Sequence, residues 1–246
     1  MKTYRDLKLT LRYNTQLNSK FWVGESMKPE VRQGLLRIAE EWAEFANIPS
    51  NAIIDIVLVG GNANYNYTKY SDLDLHLIVS KEDIADCPDL IDDYLRDKKQ
   101  LWALTHDIQI YGHDVELYAQ DRRDPAPSGQ GVFSLVNSLW LRRPTYQDVN
   151  LADPNIAKKV MHYMEKIDFL IDNKADDRDA FEKLKEKLRD MRASAIQRGG
   201  EFAVENLVFK ELRNRGYLDK MSEHLRNLKD TSLSIDSPRG MIWTEL

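Results

Sequence analysis

Apolar residues in this chain fall into periodic runs that change character about halfway along. After Pro29, a residue suited to a first helical turn, Val31, Leu35, Ile38, Trp42 and Phe45 recur at three- and four-residue spacing. That pattern predicts an amphipathic helix running through Ala46 and closed by Pro49-Ser50-Asn51. Ile53 to Val59 (IIDIVLV) is a nearly continuous β-branched run, the mark of a buried strand. The polar, tyrosine-rich stretch from Asn62 to Ser71 predicts a loop or short helix. Leu73, Leu75, Leu77 and Val79 then alternate with Asp72, Asp74, His76 and Ile78, which is strand periodicity.

A second helix is expected over Asp89–Trp102, with Leu90, Ile91, Tyr94, Leu95 and Leu101 as its apolar positions. Asp107-Ile-Gln-Ile and Val115-Glu-Leu-Tyr flank Tyr111-Gly-His-Asp and read as a hairpin about that turn. The breaker cluster Asp124-Pro-Ala-Pro-Ser-Gly-Gln-Gly marks a boundary. Beyond Pro154 the pattern is helical. Ile156, Val160, Met164, Ile167 and Leu170 make one face, and Phe181, Leu184, Leu188 and Met191 another. Gly199-Gly200 interrupts the run before a last helical segment from Phe202 to about Leu228. The expected architecture is therefore α+β over residues 1–124, followed by a mainly α-helical, partly basic domain over 125–246.

Composition narrows the class. With 42% hydrophobic and 30% charged residues the chain matches ordinary globular proteins. No apolar run approaches the ~20 residues that span a bilayer, and MKTYRDLKLTLRYN lacks the apolar core of a secretory signal. Cys87 is the single cysteine, so no internal disulfide can form, and a reducing, cytoplasmic setting without membrane association is expected. The net charge of −5 is unevenly spread. Lys183–Lys229 carries 12 Lys and Arg against 7 Asp and Glu, a net +5, which leaves −10 for the remainder. Such a split suits a polyanionic partner, and equally the solvated faces of long helices.

The candidate chemistry lies in one stretch. Strand alternation puts Asp72 and Asp74 on one face with Cα atoms roughly 6.6 Å apart, opposite leucines that anchor the strand. Paired carboxylates repel each other in a core but suit a hard divalent cation. Gly60-Gly61 directly follows the buried strand, where glycines let backbone N–H groups approach an anion, and a helix start behind them would add its positive end.

These residues resemble the DNA polymerase β-like nucleotidyltransferases, and the stretch Asn64 to His76 resembles a small viral and bacterial branch of that superfamily. The likeness extends from Leu17 through Pro144, and more weakly to Gly199-Gly-Glu-Phe and Asn206-Leu-Val-Phe-Lys. It implies a mixed sheet with flanking helices and two divalent metals, Mg²⁺ or Mn²⁺, held by Asp72, Asp74 and a third acid on a neighbouring strand. Glu116 is preferred to Asp114 as that acid because Val115 and Leu117 flank it, whereas Asp114 falls in the expected turn. The family more often has Ser at the position of Gly61. Asn62, Asn64 or Ser71 could supply the missing polar group. Gly60, Gly61, Asn62, Ser71 and Lys210 are the expected nucleotide contacts.

The implied activity is transfer of a nucleoside monophosphate from a nucleoside triphosphate such as ATP to an acceptor hydroxyl, with pyrophosphate released. An RNA end such as tRNA is the favoured acceptor, and a protein or small-molecule hydroxyl stays open, as does a nucleotide or RNA sensor with a degenerate site. His76 shares the aspartate face and reads more readily as a hydrogen-bonded structural histidine. Tyr65, Tyr67 and Tyr70 could stack on a base or simply anchor the loop. The sequence leaves the base and the oligomeric state open.

Overall fold

The computed structural model describes residues 4–84, 88–124, 130–147 and 149–234. Cys87 and most of the Pro/Gly breaker cluster lie outside the described residues. The chain forms two compact units, one of residues 12–148 and one of residues 1–11 with 149–246.

The first unit begins with a small hairpin, β1 (Trp22–Val23) and β2 (Ser26–Met27), followed by helix α1 (Pro29–Phe45). Strands β3 (Ile53–Val59) and β4 (Leu73–Val79) pair antiparallel. Helix α2 (Pro88–Thr105) and the short β5 (Gln109–Ile110) lead into β6 (His113–Asp121), which returns parallel to β4. Two parallel neighbours need a crossover, and α2 supplies it. Strands β7 (Val132–Ser134) and β8 (Leu139–Arg142) complete a mixed six-stranded sheet of order β5-β6-β4-β3-β7-β8.

Helix α1 buries Val31, Leu35, Ala39 and Trp42, and α2 buries Ile91, Leu95 and Trp102, in the core shared with Leu73, Leu75, Leu77 and Leu117. Leu90 and Leu101, expected on the apolar face of α2, are instead 65% and 48% exposed, because Ile91, Leu95 and Trp102 alone fill the seam. The sheet is thereby anchored on one face, and its other face carries the polar residues of β4 and β6.

Two expectations about segment limits change. The sheet runs past residue 124, since β7 pairs with β3 and β8 with β7, so the compact unit closes near 148. The β5–β6 turn is only two residues long, with Ile110 paired to His113 and positive φ at both Tyr111 (50°) and Gly112 (77°). Both signs match the mirror-image hairpin turn that follows strand twist, and they place Asp114 inside β6.

The second unit is helical: α3 (Pro154–Asn173), α4 (Arg178–Gly199), α5 (Val204–Asn214) and α6 (Tyr217–Leu233). Ile156, Val160, Ile167, Phe181, Leu184, Leu188, Val208 and Leu212 form its core. The expected final helix is two, split at Gly216, whose left-handed φ of 75° lets the chain turn without a Cβ penalty. The N-terminal strap belongs here. The fully buried Glu211 accepts hydrogen bonds from the backbone N–H groups of Thr10 and Leu11, the Thr10 hydroxyl and the Arg215 guanidinium. Together the two units give an α+β sheet domain with flanking helices and an α-helical C-terminal part.

Candidate active site

The geometry starts from the pleat of β4. Leu73, Leu75, Leu77 and Val79 are all fully buried, while Asp72, Asp74, His76 and Ile78 are half-buried on the opposite face. Asp72 immediately precedes the strand and Asp74 is its second residue. On the parallel neighbour, Glu116 is the register partner of Asp74, and Tyr118 that of His76. Paired positions in a sheet present their side chains on the same face, so Asp74 and Glu116 share one surface, with Asp72 just before the strand. Asp114, two residues before Glu116, presents to that face too and accepts a hydrogen bond from Gln109 Nε2 at 2.7 Å. Asp114 is thus a strand residue and not a turn residue. What separates the two acids is register, since Glu116 lies directly beside Asp74.

On the other side, β3 brings Gly60 against Asp74, because Val59 is Asp74's antiparallel partner. Gly60 adopts φ 72° and ψ −163°, and a Cβ there would sit 1.6 Å from Asp74 Oδ2. The Asp74 carboxylate occupies the space that any other residue's side chain would need. Gly61 is less constrained. Its added Cβ would lie 3.1 Å from the Ser71 hydroxyl, which itself accepts a hydrogen bond from Thr68 N at 2.9 Å. The helix start expected behind the glycines is a single 3-10 turn, Gly61–Ala63, too short to carry a useful dipole.

The loop between β3 and β4 is pinned by buried amides. Asn62 is fully buried and donates through Nδ2 to the carbonyls of Ser71 and Asp72, at 3.1 and 2.9 Å, while its Oδ1 accepts from Asn18 Nδ2 at 3.0 Å. Trp22 Nε1 donates to the Asn62 carbonyl at 2.8 Å. Asn64 donates to the Gly60 carbonyl and accepts from Gly131 N. Asn14 Nδ2 donates to the carbonyls of Tyr65 and Tyr67. Burying an unpaired amide is costly, so these bonds fix one path for the loop. Asn14, Asn18 and Trp22 were not legible as site residues. Their only signal was polar side chains interleaved with large apolar ones before α1, which does not name a partner forty or more residues away.

Tyr65 packs beside Tyr13 and Tyr146, and Tyr70 lies under the Lys69 ammonium. His76 Nδ1 lies 2.8 Å from Gln120 Oε1, so the ring donates there. Burial lowers the histidine's pKa from its ordinary value, opposed by that hydrogen bond. The structural reading of His76 thus has a named partner.

Three carboxylates are hard oxygen donors of the kind that suit Mg²⁺ or Mn²⁺, and the cradle at Gly60 holds one of them in place. As they stand the oxygens do not converge, and among the described residues no three His, Cys, Asp or Glu side chains are grouped closely enough to hold an ion. Like charges drive them apart, and Glu116, 55% exposed, is drawn to the Lys99 ammonium at 3.6 Å. The donor set fits a divalent cation in chemistry and in face, provided that Glu116 leaves Lys99. Lys210 belongs to the helical unit, where it forms an ion pair with Glu201.

No protein-family model and no curated protein matches the chain. Among solved structures, it aligns with the STING-associated CdnE c-di-GMP synthase from Capnocytophaga granulosa at 12% identity, over 83% of this chain and 82% of that one. The TM-score of 0.22 is too low for that likeness to carry an argument about fold or activity.

Proposed function

We propose that the protein is a metal-dependent nucleotidyltransferase that moves a nucleoside monophosphate from a nucleoside triphosphate to an acceptor hydroxyl. The observation that carries this reading is the register of Asp74 with Glu116 on adjacent parallel strands, beside a glycine whose missing side chain makes room for the Asp74 carboxylate. Asp72, Asp74 and Glu116 are the proposed metal ligands and Gly60 and Gly61 the phosphate-facing backbone. Bound Mg²⁺ or Mn²⁺ would supply charge neutralisation on the triphosphate and a lower pKa for the attacking hydroxyl.

The protein's own contribution is placement. Asn62, both of whose amide hydrogens are donated inward, acts as a positioning residue that fixes the carbonyls of Ser71 and Asp72. The Ser71 hydroxyl, beside Gly61, takes over the hydroxyl that the resembled family places on the second residue of its Gly-Ser pair. Preorganised donors of this kind favour charge that builds on the transferring phosphate. An RNA end remains the favoured acceptor, on the strength of the basic C-terminal third.

The test incubates the protein with Mg²⁺ or Mn²⁺, each α-labelled nucleoside triphosphate and total cellular RNA, beside a protein-only lane. Label should enter one acceptor class, and Asp74→Ala should lose at least 10³-fold of it while melting cooperatively. An active, metal-dependent Asp74→Ala enzyme sinks the proposal. A second reading, a nucleotide sensor that does not turn over, is favoured by the Lys99–Glu116 pair, which occupies the third acid. It requires nucleotide binding in calorimetry that is indifferent to Mg²⁺.

A further inference from the structure

The helical unit contains a groove of about 550 Å³ between α4 and α6. Lys185 and Arg189 line it from α4, and Arg226 and Lys229 from α6, with Leu225 alongside and Glu186 as their acidic neighbour. The remaining charged pair in the lining, Arg178 and Glu182, neutralises itself through an ion pair at 2.8 Å. Several basic side chains of this unit meet carboxylates: Lys159 with Glu205, Lys210 with Glu201, Arg215 with Glu211 and Lys220 with Asp168. Among the described residues, the four cations of the groove have no such partner.

The lining holds five Lys and Arg against two Glu, so the groove keeps a net positive charge. Lys185 and Arg189 are one helical turn apart, about 6 Å along the axis, and Arg226 and Lys229 are three residues apart on the facing helix. The spacing is comparable to that of successive phosphodiesters. The groove is open to solvent and walled by two helices, a shape that a single strand can follow. Leu225, partly buried, offers an apolar surface for a sugar or base edge.

We infer that the α4–α6 groove is a binding site for the phosphodiester backbone of a nucleic-acid strand. The site stands whether or not the carboxylate face turns over nucleotides, so its test contains neither nucleoside triphosphate nor divalent cation. A fluorescein-labelled 15-nucleotide single-stranded RNA, and DNA of the same sequence, are titrated with the full chain and followed by anisotropy from 50 to 300 mM KCl. Four phosphate contacts predict a log–log salt slope of about −3.

Lys185→Gln with Arg189→Gln should weaken binding at least tenfold and flatten the slope by about half. Arg226→Gln with Lys229→Gln should do the same from the other wall. Lys183→Gln with Lys187→Gln removes equal charge from another face of α4 and should leave the slope within error. Equal losses in that control, or unchanged binding in both groove variants, overturn the inference. Preference for phosphatidylserine vesicles over RNA and DNA, lost in the same groove variants, overturns it in favour of a membrane surface. Tighter binding of RNA than DNA, or the reverse, supports the site and names the strand.

Discussion

Replacing Gly60 with Ala is the sharpest perturbation of the proposed site. The native φ of 72° with ψ −163° is a region that essentially only glycine occupies, and holding alanine there costs about 1–3 kcal/mol. The new methyl would also lie 1.6 Å from Asp74 Oδ2 and 2.6 Å from its Cγ, so the carboxylate must rotate away. An off-rotamer side chain adds about 0.5–1.5 kcal/mol. The combined loss, about 2–4 kcal/mol, should lower the melting midpoint by on the order of 10 °C. Displacing a reacting-site group by about 1 Å costs roughly 10²-fold in rate, so labelled-nucleotide transfer should fall at least that far in the folded variant. Gly61→Ala is the internal control, because its added Cβ makes one tight approach, 3.1 Å to the Ser71 hydroxyl, with its other neighbours at 3.5 Å or more, and its φ is ordinary. It should cost less than about 1 kcal/mol. Scanning calorimetry and the transfer assay on both variants decide the matter. A Gly60→Ala protein with wild-type melting and wild-type transfer would refute the idea that this glycine exists to seat Asp74.

The two rival third acids can be separated by single changes: Glu116→Gln should cut transfer at least 10²-fold and Asp114→Asn less than fivefold, read from initial rates at saturating Mg²⁺. The reverse ranking would move the third ligand to Asp114. In the helical unit, Glu211→Ala strands the Thr10 and Leu11 N–H groups and the Arg215 guanidinium, and breaking such a buried set costs about 3–5 kcal/mol. A melting change worth under about 1 kcal/mol would show that the N-terminal strap is not held by this carboxylate. The Arg123 guanidinium, bonded to Asp121, holds that carboxyl down to about 2, from an ordinary value of 3.8. A depressed carboxyl pKa stabilises the fold above its unfolded value and loses that effect as pH falls toward the folded one. Urea midpoints should therefore drop between about pH 4 and pH 2, and Asp121→Asn should flatten that acid limb.

Local features were legible in the amino-acid pattern, because these follow from nearest-neighbour periodicity. Alternation around Leu73–Val79 put Asp72, Asp74 and His76 on one face, and the apolar spacing of 29–46 and 154–173 marked helices that fold as expected. Gly60 was legible from its place after a buried strand, although the reason for it, the Asp74 carboxylate, was not. Tertiary structure decided whatever depends on pairing across the chain. The register of Asp74 with Glu116 comes from a parallel pair joined by a whole helix, and no local pattern encodes the offset. The same holds for β7 and β8, too short to read alone and stabilised as strands by β3. Asn62 reads from the sequence as a nucleotide contact in a polar loop, and only the arrival of Asn18 and Trp22 explains its burial. Hydrogen bonds of this kind form between segments whose closeness is a property of the completed fold, so they become visible only when the core has brought those segments together.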